Sequence, residues 1–225
     1  MSKPKTTRAR LEDYLTTIYR LEEAFGSARI TDISRELKVS PATVSKIIRK
    51  MEDGDLVRRE RYRYVKLTST GKRIAEEIVR KHRIAEVFLL KVLGFNELES
   101  HLYAHHLEHL PDIIIERMFT IVSKPALCPH GNSIPGVIGK REIEELMNLN
   151  STRKGQICTI KKIAGEFAEV LEYIYNAGMR VFDPIVIVEH ASEGVVVELK
   201  DKRRIEVPSY YARFVYVSCR SLNDA

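Results

Sequence analysis

Cysteine is scarce in this chain, and the pattern of a disulfide scaffold is missing. The 225 residues include three cysteines, Cys128, Cys158 and Cys219, which form no even framework and no C-x-x-C motif. No function is assigned to Cys158 or Cys219 on this basis. A chain of this kind is expected in a reducing cytoplasm.

Long apolar runs are also missing. The longest are short, such as residues 87–90, whereas a membrane-spanning helix needs about 20 apolar residues. Residues 1–10 are basic and contain no apolar stretch, so they predict no secretory signal. The hydrophobic content of 44% is normal for a globular protein, and the length allows one large domain or two to three small ones.

Positive charge is concentrated in the first third of the chain. Residues 1–73 hold 18 Lys and Arg against 10 Asp and Glu, a net charge of +8. The remaining residues carry a net charge of −2. This asymmetry favours a polyanion as the partner of the N-terminal part.

The N-terminal third has the pattern of a winged helix-turn-helix. A first helix is predicted at about residues 8–24, and Thr31 is the expected N-cap of a second. Ser40 and Pro41 then begin a third helix, whose apolar face carries Val44 and Ile48. Two short strands between residues 56 and 67, with a turn at 61–63, complete a basic wing. The third helix is therefore the expected recognition helix of a DNA-binding module.

The recognition helix and the wing supply the candidate DNA contacts. Small and polar residues at the start of the helix are candidates for contacts to base edges: Ser40, Ala42, Thr43, Ser45 and Lys46. Basic residues farther along are candidates for contacts to phosphates: Arg49, Lys50, Arg58, Arg59, Arg61 and Arg63. Small residues at the start of the recognition helix suggest that DNA shape contributes to specificity.

Four of the seven histidines fall within residues 101–109. Asn96 is expected to cap this helix in a capping box with Glu99, and Pro111 to close or kink it. On a helix, one stripe carries His101, His105, Glu108 and His109. Imidazole and carboxylate groups on one face are typical ligands of a divalent transition metal, so the function is expected to depend on a metal.

The rest of the chain predicts an α+β multidomain protein. A long helix follows Thr68 or Ser69, a further apolar helix covers residues 113–122, and residues 123–136 form a loop rich in Pro and Gly. Residues from 155 onward alternate as short strands around one helix at about 166–177, a pattern typical of a small β-barrel. The expected domains are a winged helix-turn-helix at 1–73, an all-helical domain at 74–140, a linker at 141–152 and the barrel at 153–225.

These motifs together resemble the diphtheria toxin repressor family of metal-dependent transcriptional regulators, in its three-domain form. The matching residues are Glu12 to Leu15 with Ile18-Tyr19, Val44-Ser45, Leu67-Thr68 with Gly71, Arg80 to Arg83 with Glu86, Glu108-His109, and Cys128 to Gly131 with Ile134-Pro135. Their order covers about residues 10–140. The resemblance implies a winged-helix domain, a helical dimerisation domain with metal sites, and a C-terminal SH3-like domain.

The resemblance also implies a primary metal site that joins the first helix to the dimerisation helix. The residues that stand at the ligand positions of the family are Asp13, His105, Glu108 and His109. Asp13 matches the manganese-responsive branch, whereas His105 stands where the family usually has cysteine or glutamate. The cofactor is therefore Fe(II) or Mn(II).

A second, ancillary metal site has two possible forms. One resembles the iron-responsive members and uses His82, Glu86 and His101. The other resembles a streptococcal variant and uses Glu86, Cys128, His130 and a carboxylate of the C-terminal domain, either Glu166 or Glu169. Both residue sets are present, so the sequence leaves this choice open.

The regulator hypothesis implies a homodimer that places two recognition helices in successive major grooves of double-stranded operator DNA. It would act as a repressor that controls metal homeostasis genes. Two alternatives stay open. The run from His105 to His109 satisfies H-x-x-E-H, a zinc-peptidase pattern, although the motif is short and does not explain a basic winged helix. A metal-independent winged-helix protein would bind DNA equally well in a chelator.

Overall fold

The chain divides into two compact units, Met1–Val79 and Arg80–Ala225. The computed structural model describes residues 11–60, 64–137 and 145–220. The first unit contains the helices α1 (Leu11–Phe25), α2 (Ile30–Glu36) and α3 (Pro41–Asp53). Its antiparallel sheet has the order β1-β3-β2, formed by β1 (Ala28–Arg29), β2 (Val57–Arg59) and β3 (Tyr64–Leu67).

Helix α3 begins and packs as the sequence predicts. The Ser40 side chain accepts a hydrogen bond from the Thr43 amide at 3.1 Å, and Pro41 occupies the first helical position. Val44 and Ile48 are fully buried on the inner face of this helix. The two wing strands are confirmed, and their predicted turn at 61–63 lies outside the described residues. The predicted Thr31 cap is wrong, because α2 begins at Ile30 and its N-cap is Arg29, whose side chain makes no capping hydrogen bond.

Three helices precede the C-terminal sheet: α4 (Ser69–Leu93), α5 (Glu97–Leu107) and α6 (Asp112–Ile121). The capping box of Asn96 and Glu99 at the start of α5 is confirmed. Glu108 is the C-cap of α5, so the predicted histidine stripe is helical only as far as His105. Pro111 explains this early end, because proline disfavours helical backbone in the residue before it. No helix among the described residues is long and apolar enough to cross a bilayer.

The C-terminal strands form one six-stranded antiparallel sheet with the order β4-β9-β5-β6-β7-β8. The strands are β4 (Met147–Asn148), β5 (Ile157–Ile163), β6 (Pro184–His190), β7 (Gly194–Glu198), β8 (Arg204–Pro208) and β9 (Val215–Arg220). Helix α7 (Ala168–Asn176) and the short α8 (Ser209–Ala212) accompany it. The strand positions are as predicted, but β4 and β8 do not pair with each other among the described residues, so the expected barrel is an open sheet.

Two further expectations are corrected in this domain. The predicted linker at 141–152 is too long, because Met147 and Asn148 already pair with β9 and Leu149 is fully buried. Cys158 and Cys219 are joined by a disulfide, because the register of β5 and β9 places them directly opposite, with Cα atoms 4.0 Å apart. Sequence spacing alone does not reveal strand register, so this pairing was not predicted.

Candidate metal centre

Helices α4 and α5 bring His82, Glu86 and His101 together in the interior of the second unit. His82 and Glu86 are one helical turn apart on α4 and both are fully buried. The Nε2 atom of His82 lies 3.1 Å from Nδ1 of His101, and Oε1 of Glu86 lies 3.0 Å and 2.8 Å from these two nitrogens. Ligand atoms around a tetrahedral ion with bonds of 2.0–2.1 Å are about 3.3 Å apart. The triangle therefore has the spacing of a ligand set.

The loop at residues 128–134 places two more potential metal ligands, Cys128 and His130, near Glu86. The Nε2 atom of His130 lies 3.2 Å from Oε1 of Glu86. Cys128 is buried, and its Sγ donates to Oε1 of Glu166 at 2.9 Å. The loop packs closely on β5 because Gly131 has a φ of +80° and a Cβ there would lie 2.1 Å from the Lys161 carbonyl oxygen. The two predicted ancillary sets are thus neighbours that share Glu86.

Glu166, and not Glu169, is the carboxylate that the C-terminal domain contributes. Its side chain is fully buried, and its backbone has a φ of +52°, outside the helix that follows. Arg83 Nε donates to both carboxylate oxygens, at 3.0 Å and 3.2 Å, and Asn132 donates at 3.1 Å. Glu169 is exposed and accepts from the Tyr211 hydroxyl. Burial of Glu166 is therefore tolerated because a guanidinium group neutralises it.

The residues predicted for the primary site lie where α5 ends. Glu108 is buried, whereas the side chains of His105 and His109 are 46% and 43% exposed. The two rings lie 3.5 Å and 3.6 Å from the Glu108 carboxylate oxygens. His82 Nδ1 lies 2.6 Å from Glu108 Oε2, so His82 connects this group to Glu86. Asp13 lies in the first unit, and its place in this site stays a prediction.

The histidines keep the central carboxylates ionised. Burial opposes ionisation of Glu86, but the His130 and His82 rings outweigh it and hold the pKa of this carboxyl well below its usual range. Burial also opposes ionisation of Glu108, where hydrogen bonds from His105 and His82 hold the pKa far below its usual range. Burial and the Glu166 carboxylate raise the pKa of the Cys128 thiol, so a metal that takes this sulfur must displace a proton.

One unsatisfied oxygen is consistent with a metal ion in the cluster. Among the described residues, Oε2 of Glu86 is buried and makes no hydrogen bond, and the buried Nε2 of His130 has only the 3.2 Å contact with Glu86 Oε1. An unpaired buried polar atom costs about 1–3 kcal/mol. A divalent ion accepts electron pairs from both atom types and would offset this cost.

Sequence reasoning gave no role to Arg83, Asn132 or Tyr175. The Tyr175 hydroxyl lies 2.5 Å from His130 Nδ1. Burial raises the pKa of Tyr175, so this hydroxyl stays protonated. Arg83 was visible as part of the Arg80 to Arg83 motif, but only the fold shows that it faces Glu166. Tyr175 had no sequence signal, because it meets His130 from a helix 45 residues later in the chain.

The predicted DNA-contact residues lie on the surface of the first unit. All those on α3 and β2, together with the N-cap, are exposed: Ser40, Ala42, Thr43, Ser45, Lys46, Arg49, Lys50 and Arg58. Arg59 is also exposed, but its Nε lies 3.0 Å from Glu52 Oε2 and it donates to the Ser45 carbonyl oxygen at 3.2 Å. These two contacts of Arg59 join the wing strand β2 to the recognition helix α3. Arg61 and Arg63 lie outside the described residues.

Known protein families match all three parts of the chain. Three family models match: the iron dependent repressor N-terminal DNA binding domain at residues 6–65, the iron dependent repressor metal binding and dimerisation domain at 68–136, and the FeoA domain at 147–219. The crystal structure of T. acidophilum IdeR superposes with a TM-score of 0.79 and 28% identity, over 95% of this chain and 100% of that one. The manganese regulator SloR superposes with a TM-score of 0.78 and 27% identity, over 95% and 100% of the two chains.

Curated relatives match at the sequence level. The iron-dependent repressor IdeR of Mycobacterium leprae is 37% identical over 128 residues, so the match spans only 56% of this chain and 56% of that relative. The diphtheria toxin repressor of Corynebacterium diphtheriae is 30% identical over 191 residues, which are 79% of this chain and 84% of that protein. The chain therefore belongs to the diphtheria toxin repressor family of iron-dependent repressors.

Proposed function

We propose that this protein is a metal-dependent transcriptional repressor that binds operator DNA when Fe(II) or Mn(II) is bound. The observation that carries the proposal is the buried triangle of His82, Glu86 and His101, whose donor atoms have the spacing of ligands and lie in a chain with an exposed recognition helix. Proteins similar to this chain are described as an iron-dependent repressor and a manganese-dependent transcriptional repressor. The genes it controls would be those of metal homeostasis, and it would act in the cytoplasm.

The ancillary site would use a larger ligand set than either predicted form. His82, Glu86 and His101 would supply three donors, and His130 would contribute Nε2, which lies 3.2 Å from Glu86 Oε1. Cys128 and Glu166 lie beside this group with Arg83 on the carboxylate. We place Asp13, His105, Glu108 and His109 in the primary set that the family resemblance implies. A bound ion would supply positive charge to these carboxylates and would fix the side chains that hold it.

The DNA contacts follow from the exposed face of α3. Ser40, Ala42, Thr43, Ser45 and Lys46 lie at its start and would read base edges, whereas Arg49, Lys50, Arg58, Arg61 and Arg63 would contact phosphates. Because much of the attraction is electrostatic, the affinity for DNA should fall steeply as the salt concentration rises.

A homodimer is supported by apolar surface on α6 and the neighbouring helices. Ile113 and Ile121 are 66% and 61% exposed, and Tyr103 is 48% exposed. Large exposed apolar side chains are typical of a protein interface, and a second copy would cover them. We expect Ile121→Glu to convert the dimer to a monomer in light scattering after size-exclusion chromatography. Ile157→Glu, at an exposed apolar position in β5, is the control that should stay dimeric.

The zinc-peptidase alternative receives less support. Helix α5 ends at Leu107, so His105 and His109 are not on successive turns of one helix, as H-x-x-E-H requires. Glu108 is already held by His82 at 2.6 Å and is not free to act as a general base. The named relatives are transcriptional regulators.

The test is fluorescence anisotropy on DNA from upstream of the protein's own gene, at fixed salt. The protein is titrated in chelator, then with Mn(II), then with anaerobic Fe(II). Tight binding only with metal supports the proposal, and Asp13→Ala and His109→Ala should each remove the metal response while the dimer stays folded. Equal binding in chelator would contradict it and favour metal-independent regulation.

A further inference from the structure

A cleft of about 360 Å³ separates the recognition helix from the wing in the first unit. One wall is the start of α3, where Pro41, Ala42 and Ser45 present small side chains. The wing strands form the other wall with Arg59 of β2 and Tyr64 of β3. The cleft therefore has room on one side and groups that donate hydrogen bonds on the other.

Most basic side chains of the sheet β1-β3-β2 are already paired with carboxylates. Arg59 Nε lies 3.0 Å from Glu52 Oε2. Lys66 Nζ lies 3.3 Å from Glu60 Oε1, and Arg58 Nη2 lies 3.8 Å from the same oxygen. These pairs reduce the positive charge that the wing strands offer to an anion.

Arg29 on β1 has no carboxylate partner among the described residues, and its side chain is exposed. It stands directly opposite Tyr64 in the pairing of β1 with β3. Its Nε donates to the Tyr64 hydroxyl at 2.9 Å, and its guanidinium carbon lies 5.2 Å from the centre of the Tyr64 ring. These contacts hold the planar guanidinium in place, while its two Nη atoms make no hydrogen bond to any described residue.

The Tyr64 hydroxyl is the second group available to a ligand. It accepts the hydrogen bond from Arg29, so its own proton can be donated elsewhere. Tyr64 is half-buried and lines the cleft. A phosphate suits this pair, because guanidinium Nη atoms bind phosphate by parallel hydrogen bonds and tyrosine hydroxyls are frequent donors to phosphate oxygens.

The position of the cleft indicates which phosphate this is. The proposed function puts α3 in the major groove of DNA, and a phosphate backbone borders that groove on each side. A wing beside the recognition helix then faces one of these backbones, which would pass along the cleft between them. We infer that Arg29 and Tyr64 together bind one phosphate of this backbone. This phosphate contact rests on the proposed operator binding and adds a positioning group to it.

A contact to phosphate fixes the register of a protein on DNA without reading the sequence. The test measures the affinity of the full-length, metal-loaded protein for two duplexes over a series of salt concentrations. One duplex comes from upstream of the protein's own gene, and the other is an unrelated sequence of the same length. We expect Arg29→Gln to weaken binding to both by the same factor, at least about tenfold. The slope of log affinity against log salt should become shallower by about 0.9 for each bound protomer.

Two further variants separate charge from geometry. Arg29→Lys keeps the positive charge but cannot hold a phosphate by two parallel hydrogen bonds, so the salt slope should stay while the affinity falls. Tyr64→Phe keeps the ring and removes only the hydroxyl, so it should also weaken binding with an unchanged slope. The matched control is Arg153→Gln, at an exposed position of the C-terminal domain, which should change neither quantity.

A neutral methylphosphonate, placed at each backbone position of the operator in turn, locates the contact. At one position in each half-site the wild type should lose affinity while Arg29→Gln loses no more, a pattern that a misfolded variant would not give. The phosphate contact alone is overturned if Arg29→Gln keeps the wild-type salt slope on both duplexes, or if variant and wild type respond alike at every methylphosphonate. Wild-type protein that binds neither duplex, with or without metal, would overturn both the operator binding and this contact.

Discussion

At the scale of single residues, Glu86 is the centre of the candidate metal site. It is fully buried and faces His82, His101 and His130, all within 3.2 Å of Oε1. Its other oxygen makes no hydrogen bond to any described residue. An ionised carboxylate in this position is stable because the histidines surround it, and it is the group that both predicted ancillary sets have in common.

The pH dependence of the metal-free protein should report this arrangement. The pKa of Glu86 is lower in the folded protein than in the unfolded chain, so the folded state binds fewer protons there. Its contribution to stability is present above about pH 4.5 and is lost as the pH falls below that value. Urea unfolding in chelator from pH 7 to pH 3 should show the loss.

Glu86→Gln provides the comparison for the pH series. Without an ionisable group at this position, the fall in unfolding free energy below about pH 4.5 should become shallower. An unchanged slope in the variant would mean that Glu86 does not hold the depressed pKa.

Arg83 is the residue that permits a carboxylate from the C-terminal domain to be buried. We expect Arg83→Ala to lower the free energy of unfolding by about 3–5 kcal/mol, because it leaves Glu166 buried without its partner. Chemical denaturation in chelator measures the effect. Lys202→Ala, which removes a surface ion pair with Glu198, is the control and should change stability little. Equal midpoints for both variants would show that Glu166 does not depend on Arg83.

At the scale of elements, the sequence predicted what local chemistry determines. The capping residues Ser40 and Asn96 and the alternation in β5 to β9 placed most helices and strands within one or two residues. The end of α5, the left-handed backbone of Glu166 and the pairing of Cys158 with Cys219 were not predicted. The cysteine pairing depends on strand register between segments 61 residues apart, which periodicity does not encode. The end of α5 follows from Pro111 and was missed because the histidine spacing was extended past it. The sequence left the choice between Glu166 and Glu169 open, because it does not show which of the two side chains is buried.

The start of α5 offers a direct test of how local structure supports the site. Asn96→Ala removes the capping box and should lower the free energy of unfolding by about 0.5–2 kcal/mol. Because α5 carries His101 and His105, the variant should also bind metal more weakly, which isothermal titration calorimetry measures. Asn96→Ser retains a capping oxygen and should behave like the wild type. If Asn96→Ala matched the wild type in both stability and metal affinity, the cap would have no part in positioning the histidines.

At the scale of the whole molecule, candidate metal ligands and candidate DNA contacts are combined in one chain. The excess positive charge lies in residues 1–73, which form the DNA-binding part, and the buried histidine and carboxylate cluster lies in the unit Arg80–Ala225. If metal raises the affinity for DNA, then DNA must raise the affinity for metal by the same factor, because both belong to one thermodynamic cycle. A switch from mostly unbound to mostly bound needs on the order of 5 kcal/mol of differential binding.

This reciprocity gives the most direct measurement of the central claim. The dissociation constant for Fe(II) is measured anaerobically at fixed salt, with and without saturating operator DNA, and the dissociation constant for the operator is measured with and without Fe(II). We predict that the two ratios are equal and well above ten. A metal affinity that is the same with and without operator would contradict the account, because the histidine and carboxylate cluster would then be structural and not a control on DNA binding.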